Sequence, residues 1–341
     1  MKRIFALALL MALALSLLGC DRTVTDPEPK NKIIYEYFDT VTVIYDYSGS
    51  SVESFGSVCD ALEERLRYYH ELFDIYHTYD GVVNIAYLNS MAGKGAVKVS
   101  DDLIDFLEYA KDVYSVTDGY MNIAMGAVLS IWHDHRTEGL KDPQAATVPD
   151  MAVLTEAAEH TDINKLVINR ADGTVELLDP EMSLDVGALA KGYAVERLAE
   201  YLYENDIIHY ALDVGGNLRV VGDKPSGSGW ETGVRNPLGG GYAYRFNLKD
   251  ASAVTSGGYE RYYTANGKRY HHIIDKDTLM PAEHFASVTV IYRDSGTADA
   301  LSTALFCMDY GKGADIINSL DGARAVWVLS DGTVKTIGFD N

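Results

Sequence analysis

The 341-residue chain has only three cysteines and eight prolines, and no cluster of lysine and arginine anywhere along it. Three cysteines cannot build the dense disulfide framework of a small secreted fold, so stability must come from apolar packing, which a 47% hydrophobic content can supply. Only 29 Lys and Arg stand against 50 Asp and Glu, a net charge of −21. Such a surface excludes nucleic acid and direct adsorption to anionic lipid as partners. The sequence also lacks a P-loop and lacks a glycine fingerprint early in a βαβ unit, which disfavours the common mononucleotide and dinucleotide folds. No internal repeat and no sharp domain boundary divide it, although a coarse division near residue 180 is open.

What is present begins with Met1-Lys2-Arg3, followed by an apolar run over residues 4–18 and then Gly19-Cys20. This is the pattern of a secretory signal, too short and wrongly flanked for a stable membrane span. Leu17-Leu18-Gly19-Cys20 resembles a bacterial lipobox, and that resemblance implies lipidation of Cys20 as the first mature residue. Residues 1–19 are then a signal peptide, 20–32 a tether, and 33–341 the globular body, anchored to a cell membrane at its extracytoplasmic face. The two remaining cysteines, Cys59 in a predicted helix and Cys307 in an apolar run, are expected to be unpaired, partly buried thiols rather than a disulfide.

Residues 40–47 read as a strand, and Leu62, Leu66, Tyr69 and Phe73 recur at helical spacing through residues 52–73. Helices are also predicted over 101–113, after Ala127, over 183–202, 298–308 and 314–320. Residues 136–161 look like a peripheral insert with one short helix. Hairpins are signalled by Asp172-Gly173 and Asp331-Gly332, and short strands by 210–221, 230–235, 242–248, 270–274 and 287–292. The whole is an α+β pattern of largely antiparallel sheets with packed helices.

Four segments carry candidate chemistry. Asp299 and Thr303 are one helical turn apart, so a carboxylate and a hydroxyl share a face suited to a hard cation; N-capping by Thr297 or Asp299 explains the same residues without a metal. In Asp185-Val186-Gly187-Ala188-Leu189-Ala190-Lys191-Gly192-Tyr193 the small residues permit close backbone approach, and Lys191 either meets a phosphate or snorkels to solvent. His271 and His272 follow Thr255-Ser256-Gly257-Gly258-Tyr259-Glu260-Arg261; as strand neighbours they face opposite ways, and one is either a general base or a structural histidine. Thr117-Asp118-Gly119-Tyr120-Met121-Asn122 and Asp213-Val214-Gly215-Gly216-Asn217 are glycine-bearing turns that line a nucleotide pocket or are simply loops. The group Trp132-His133-Asp134-His135 is unusual and unassigned.

Together these segments, in this order, resemble the ApbE family of flavin transferases, over about residues 38–339. The resemblance implies an ApbE-like fold and an enzyme that moves the FMN half of FAD, its substrate, onto a Ser or Thr hydroxyl of an acceptor protein, with Mg2+ as cofactor and AMP released. It places metal ligation on the Ala188 carbonyl, Asp299 and Thr303, and on Ser302, where relatives carry Asp and the contact is weaker or absent. Flavin contacts fall on Phe38, Tyr79, Tyr120, Met121, Asn122, Asp185, Lys191 and Ile273. Phe38-Asp39-Thr40 departs from a common Met-Gly-Thr, and Asn122 from a common Asp. His272 is the first choice of base and Asp299 the second. Acceptors are expected to be exported or membrane-bound electron-transfer proteins. The alternatives are an Mg-dependent FAD pyrophosphatase and a non-catalytic flavin-binding lipoprotein.

Overall fold

The computed structural model describes residues 25–339; the expected signal peptide over 1–19 and Cys20 lie outside that range. Its frame is an eight-stranded sheet in the order β1-β2-β6-β7-β10-β13-β14-β15, with every neighbouring pair antiparallel. The strands are β1 (Lys30–Ile34), β2 (Thr42–Asp46), β6 (Tyr210–Val214), β7 (Asn217–Val221), β10 (Ser252–Gly257), β13 (Ser287–Tyr292), β14 (Arg324–Val328) and β15 (Val334–Ile337). Residues 30–32 are thus part of the sheet, three positions before the expected start of the body.

Both faces of this sheet are covered. On β14, Ala325 and Trp327 pack into one core cluster while Val326 and Val328 pack into another, the period-2 alternation of a strand buried on two sides. One face carries helices α1 (Val52–Phe73), α6 (Ala190–Glu204) and α7 (Ser295–Cys307). Against the other lies a hairpin of β8 (Trp230–Arg235) and β9 (Tyr242–Leu248), anchored by Trp230 and Leu248. Helix α1 forms where the spacing predicts, capped by Ser51 and buried along Cys59, Leu62, Leu66 and Phe73. Cys59 and Cys307 are free and buried.

Smaller pieces complete the frame: α2 (Ile85–Ser90), α3 (Asp101–Val116), α4 (Gly126–Lys141), α5 (Met151–Ala158) and α8 (Tyr310–Ser319), a three-stranded sheet in the order β3-β5-β4 (Val97–Lys98, Thr174–Leu177, Leu166–Asn169), and the hairpin of β11 (Tyr262–Ala265) and β12 (Lys268–His271). The segment expected to be a peripheral insert is tied in more firmly than its composition suggests. Leu154 of α5 is fully buried with Val128, Trp132 and Tyr263, so α4, α5 and the β11–β12 hairpin share a core of their own.

Several helix boundaries differ from expectation: the helix predicted over 314–320 spans Tyr310–Ser319, the one predicted over 101–113 runs on to Val116, α4 reaches Lys141, and two helix starts next to the site are displaced. The helix predicted from residue 183 begins only at Ala190. Asn89 grips both backbone polar groups of Leu184, accepting from its N–H at 2.7 Å and donating to its C=O at 2.9 Å, and Asp185 N–H donates to the Ile123 carbonyl at 2.8 Å. These contacts hold residues 183–189 out of the helix. The helix predicted from 298 begins at Ser295, with Asp294 as its cap: the Asp294 carboxylate accepts from Thr297 N–H at 2.6 Å.

Candidate functional site

With Asp294 as the cap, neither Thr297 nor Asp299 performs that role. Asp299 lies one turn further in, only 5% exposed, where a carboxylate is costly without compensation. Its partner is a backbone group: Gly192 N–H donates to Asp299 Oδ2 at 2.8 Å, and Lys191 Nζ stands 4.0 Å from the same oxygen. Gly192 is what allows α6 and α7 to approach this closely. A Cβ there would lie 2.4 Å from the Asp299 Cβ and 2.5 Å from the Ser295 carbonyl oxygen. Burial pushes the Asp299 pKa up, and Lys191 and the Gly192 N–H only partly counter it, so the site favours added positive charge.

The diverted Gly192 N–H has a second consequence. In a regular helix it would close on the Ala188 carbonyl; here that carbonyl has no hydrogen-bond partner among the described residues. The oxygens available at this corner are therefore a free carbonyl, a buried carboxylate and the Thr303 hydroxyl, which is 3.1 Å from Ser256 Oγ. Ser302 is fully buried and its hydroxyl is engaged, donating to the Asp299 carbonyl at 2.9 Å and lying 2.8 Å from Ser256 Oγ. Such a set suits a hard oxygen-seeking cation. It lies outside the pattern of three or more His, Cys, Asp or Glu, of which there is no group among the described residues.

The two histidines divide their roles. His271 uses both ring nitrogens: Nε2 donates to the Ala282 carbonyl at 2.9 Å and Nδ1 accepts from Ile273 N–H at 3.2 Å. It is structural. His272, just past β12, places Nδ1 at 3.2 Å from the Arg261 carbonyl, which can only accept, so the proton sits on Nδ1 and Nε2 keeps a free lone pair. Burial, helped by the positive charges of Arg261 and Lys191, holds its pKa down to about 3, so the ring is neutral in the folded protein. Ile273 is buried beside it.

Asp185 is held at one oxygen by Gly187 N–H (2.9 Å) and faces His133 with the other, Oδ2 to Nε2 at 3.9 Å. Lys191 Nζ donates to the Gly187 carbonyl at 3.1 Å, so Asp185, Lys191 and Asp299 are linked through one short backbone segment. Phe38 and Tyr79 meet through His70, whose ring is edge-on to both, at 5.6 Å and 6.4 Å between centroids. Phe38 and Asp39 both have left-handed backbones, φ 55° and 50°, a costly pair for residues with side chains. Phe38 N–H bonded to His70 Nδ1 and Arg261 bonded to the Asp39 carbonyl hold that turn.

The segment 120–122 is less convergent. Met121 is buried, Asn122 is tied to the Thr161 carbonyl at 2.9 Å, and the Tyr120 hydroxyl donates to Asp277 at 2.9 Å. Asn122 lines a cavity of about 320 Å³ together with Met125, Thr161, Lys276 and Asp277, and neither Asp299, Lys191 nor His272 reaches it. Sequence reasoning missed Asn89, Ser256 as the link between Ser302 and Thr303, and buried Glu196, which accepts from Ser295 N–H at 2.7 Å and pairs with Arg219. Glu196 could have been found, since a carboxylate lies on the buried face of a helix; Asn89 gave no signal.

These features define an α+β protein built on one long antiparallel sheet, with a polar site where two helices and a hairpin converge. Comparison then supplies the family. The model of the ApbE family matches residues 39–327, and the chain belongs to that family. A FAD:protein FMN transferase of Treponema pallidum is 33% identical over 267 residues, 74% of this chain and 72% of that one. Another of Klebsiella pneumoniae is 30% identical over 273 residues, 78% and 80% of the two chains. Among solved structures, the ApbE protein of Thermotoga maritima superposes with a TM-score of 0.79 at 28% identity, covering 90% of this chain and 96% of that one. The flavin transferase ApbE of Vibrio cholerae, at 22% identity, a TM-score of 0.76 and 91% and 96% coverage, shares the fold.

Proposed function

We propose that this chain transfers the FMN moiety of FAD to a Ser or Thr hydroxyl of an acceptor protein and releases AMP. The observation that carries the reading is the corner in which Gly192 N–H turns from Ala188 to Asp299, leaving a free carbonyl and a buried carboxylate close to Lys191, with neutral His272 also within electrostatic reach of Lys191. The name borne by the relatives, FAD:protein FMN transferase, supports the substrate and the acceptor.

In this reading the Ala188 carbonyl, Asp299 and Thr303 would hold Mg2+, which supplies neutralisation of phosphate charge when bound. Ser302 stands behind them as a support, its hydroxyl already engaged. Lys191 neutralises a second phosphoryl oxygen, and Asp185, Ile273, Tyr79 and Phe38 hold the flavin portion, with residues 120–122 contributing mainly backbone. His272 Nε2 takes the proton of the acceptor hydroxyl as its oxygen bonds to the phosphorus on the riboflavin side. The bond from that phosphorus to the bridging oxygen breaks, and AMP leaves with the electron pair. Anionic phosphate near the ring raises the His272 pKa from its low resting position toward the range where proton transfer is efficient. The reading includes export and lipid anchoring at Cys20, supported by residues 1–20 of the sequence, and acceptors that are exported or membrane-bound.

Asp299→Asn and Thr303→Ala test the metal corner: each should abolish metal-dependent turnover while leaving the thermal melt of the metal-free protein within a few degrees of the parent. Full activity and unchanged Mg2+ affinity in both variants would remove the assignment.

A further inference from the structure

Helix α4 presents His133 to the site, in a role that the proposed reaction does not use. The Tyr76 hydroxyl lies 3.0 Å from His133 Nδ1, and His133 Nε2 lies 3.9 Å from Asp185 Oδ2. His133 and His272 also line one narrow cleft, together with Trp132 and Arg136. Burial lowers the His133 pKa against the opposing pull of Asp185, which favours the neutral ring with a single proton. A carboxylate only accepts, so that proton is best placed on Nε2, facing Asp185; Nδ1 then accepts from the Tyr76 O–H. Gly187 fixes the other carboxylate oxygen, Oδ1, so His133 controls the one that remains free to turn. The side chain of Asp185 is only 11% exposed, which makes the direction of Oδ2 energetically important.

We infer that Tyr76 and His133 are positioning residues, which set the tautomer and direction of an Nε2–H that aims the Asp185 carboxylate at bound FAD. The inference rests on the role of Asp185 in the proposed function. The gap of 3.9 Å is longer than a hydrogen bond, and the inference requires that it shorten when ligand fills the site.

The test compares FAD affinity, by flavin fluorescence, in the full chain and in His133→Gln, His133→Asn and Tyr76→Phe, with thermal melts as a folding control. Glutamine places an amide N–H near the position of Nε2, whereas asparagine reproduces only the Nδ1 side. His133→Asn should weaken FAD binding about tenfold or more, the scale of a hydrogen bond to a charged group, and raise KM for FAD in parallel. His133→Gln should stay within about threefold, and Tyr76→Phe should fall between. Equal losses in Gln and Asn, or no loss in either, would overturn the inference. Nitrogen-15 NMR of the ligand-free chain gives a readout independent of FAD: the Nε2–H tautomer is expected at His133, and Nδ1–H would overturn the inference. Absence of FAD binding by the unmodified chain counts against the proposed function, and the tautomer still decides the positioning role.

Discussion

Gly192→Ala adds one methyl group at the point where α6 crosses α7. The new carbon would sit 2.4 Å from the Asp299 Cβ, 2.5 Å from the Ser295 carbonyl oxygen and 3.0 Å from the Gly296 Cα, and two of these three neighbours are backbone atoms. They cannot swing away, so the helices must separate. Overpacking of this kind costs about 2 kcal/mol, and loosening the Gly192 N–H to carboxylate bond costs about 2 kcal/mol more. The better helix propensity of alanine returns about 1 kcal/mol. A net loss of about 3 kcal/mol lowers Tm by roughly 6 °C in a domain of this size. Gly56→Ala in α1 is the matched control, since nothing lies within 4 Å of the added carbon. There the propensity gain stands alone, and stability should rise by up to about 1 kcal/mol. Paired thermal melts should therefore move in opposite directions. Isothermal titration with Mg2+ should show affinity lost in Gly192→Ala and kept in Gly56→Ala. A Gly192→Ala protein that melts with the parent and binds Mg2+ as tightly would refute the helix-crossing geometry.

Three further outcomes are expected. His272 is held down to about 3 in the folded chain, against about 6.5 when unfolded, so its stabilising contribution is complete above about pH 6.5 and is lost as pH falls from there toward 3. NMR titration should show its ring neutral from about pH 8 to about pH 5 without ligand, with the midpoint rising once FAD is added; a ligand-free midpoint near 6.5 would contradict the burial argument. His272→Ala should cut kcat by about 10² to 10⁴ while FAD affinity changes little, and equal losses in both would move the residue from base to binding group. Burial raises the Cys59 thiol to about 11 and the Cys307 thiol further, so a thiol reagent should label neither until the chain unfolds; fast native labelling would show that one of these regions is open.

Much of this was visible in the sequence where local rules act alone. The apolar stripe of α1 marked the helix over its observed span of residues 52–73, and Asp172-Gly173 marked its hairpin. The candidate site residues were marked by types that needed a reason, such as a lysine among small residues and an acidic residue one turn before a threonine. Non-local forces hid the rest. Residues 183–189 have helical composition, but Asn89, nearly a hundred positions away, and Ile123 capture their peptide groups. Strand β10 is rich in small and hydroxylated residues and shows little alternation, because it runs between β7 and β13 and lends Ser256 to α7. His271 and His272 looked equivalent, and only the Ala282 and Arg261 carbonyls distinguish the structural ring from the available one. The Gly192 N–H to Asp299 bond, on which the site depends, joins positions more than a hundred residues apart.

The most direct measurement is the intact mass of a candidate acceptor domain after incubation with the full chain, FAD and Mg2+. FMN transfer predicts a mass gain of one FMN phosphoester on a Ser or Thr and one AMP released per modified acceptor, both absent in Asp299→Asn. An acceptor of unchanged mass, with free FMN and AMP accumulating together, would contradict transfer and leave hydrolysis of FAD as the reaction.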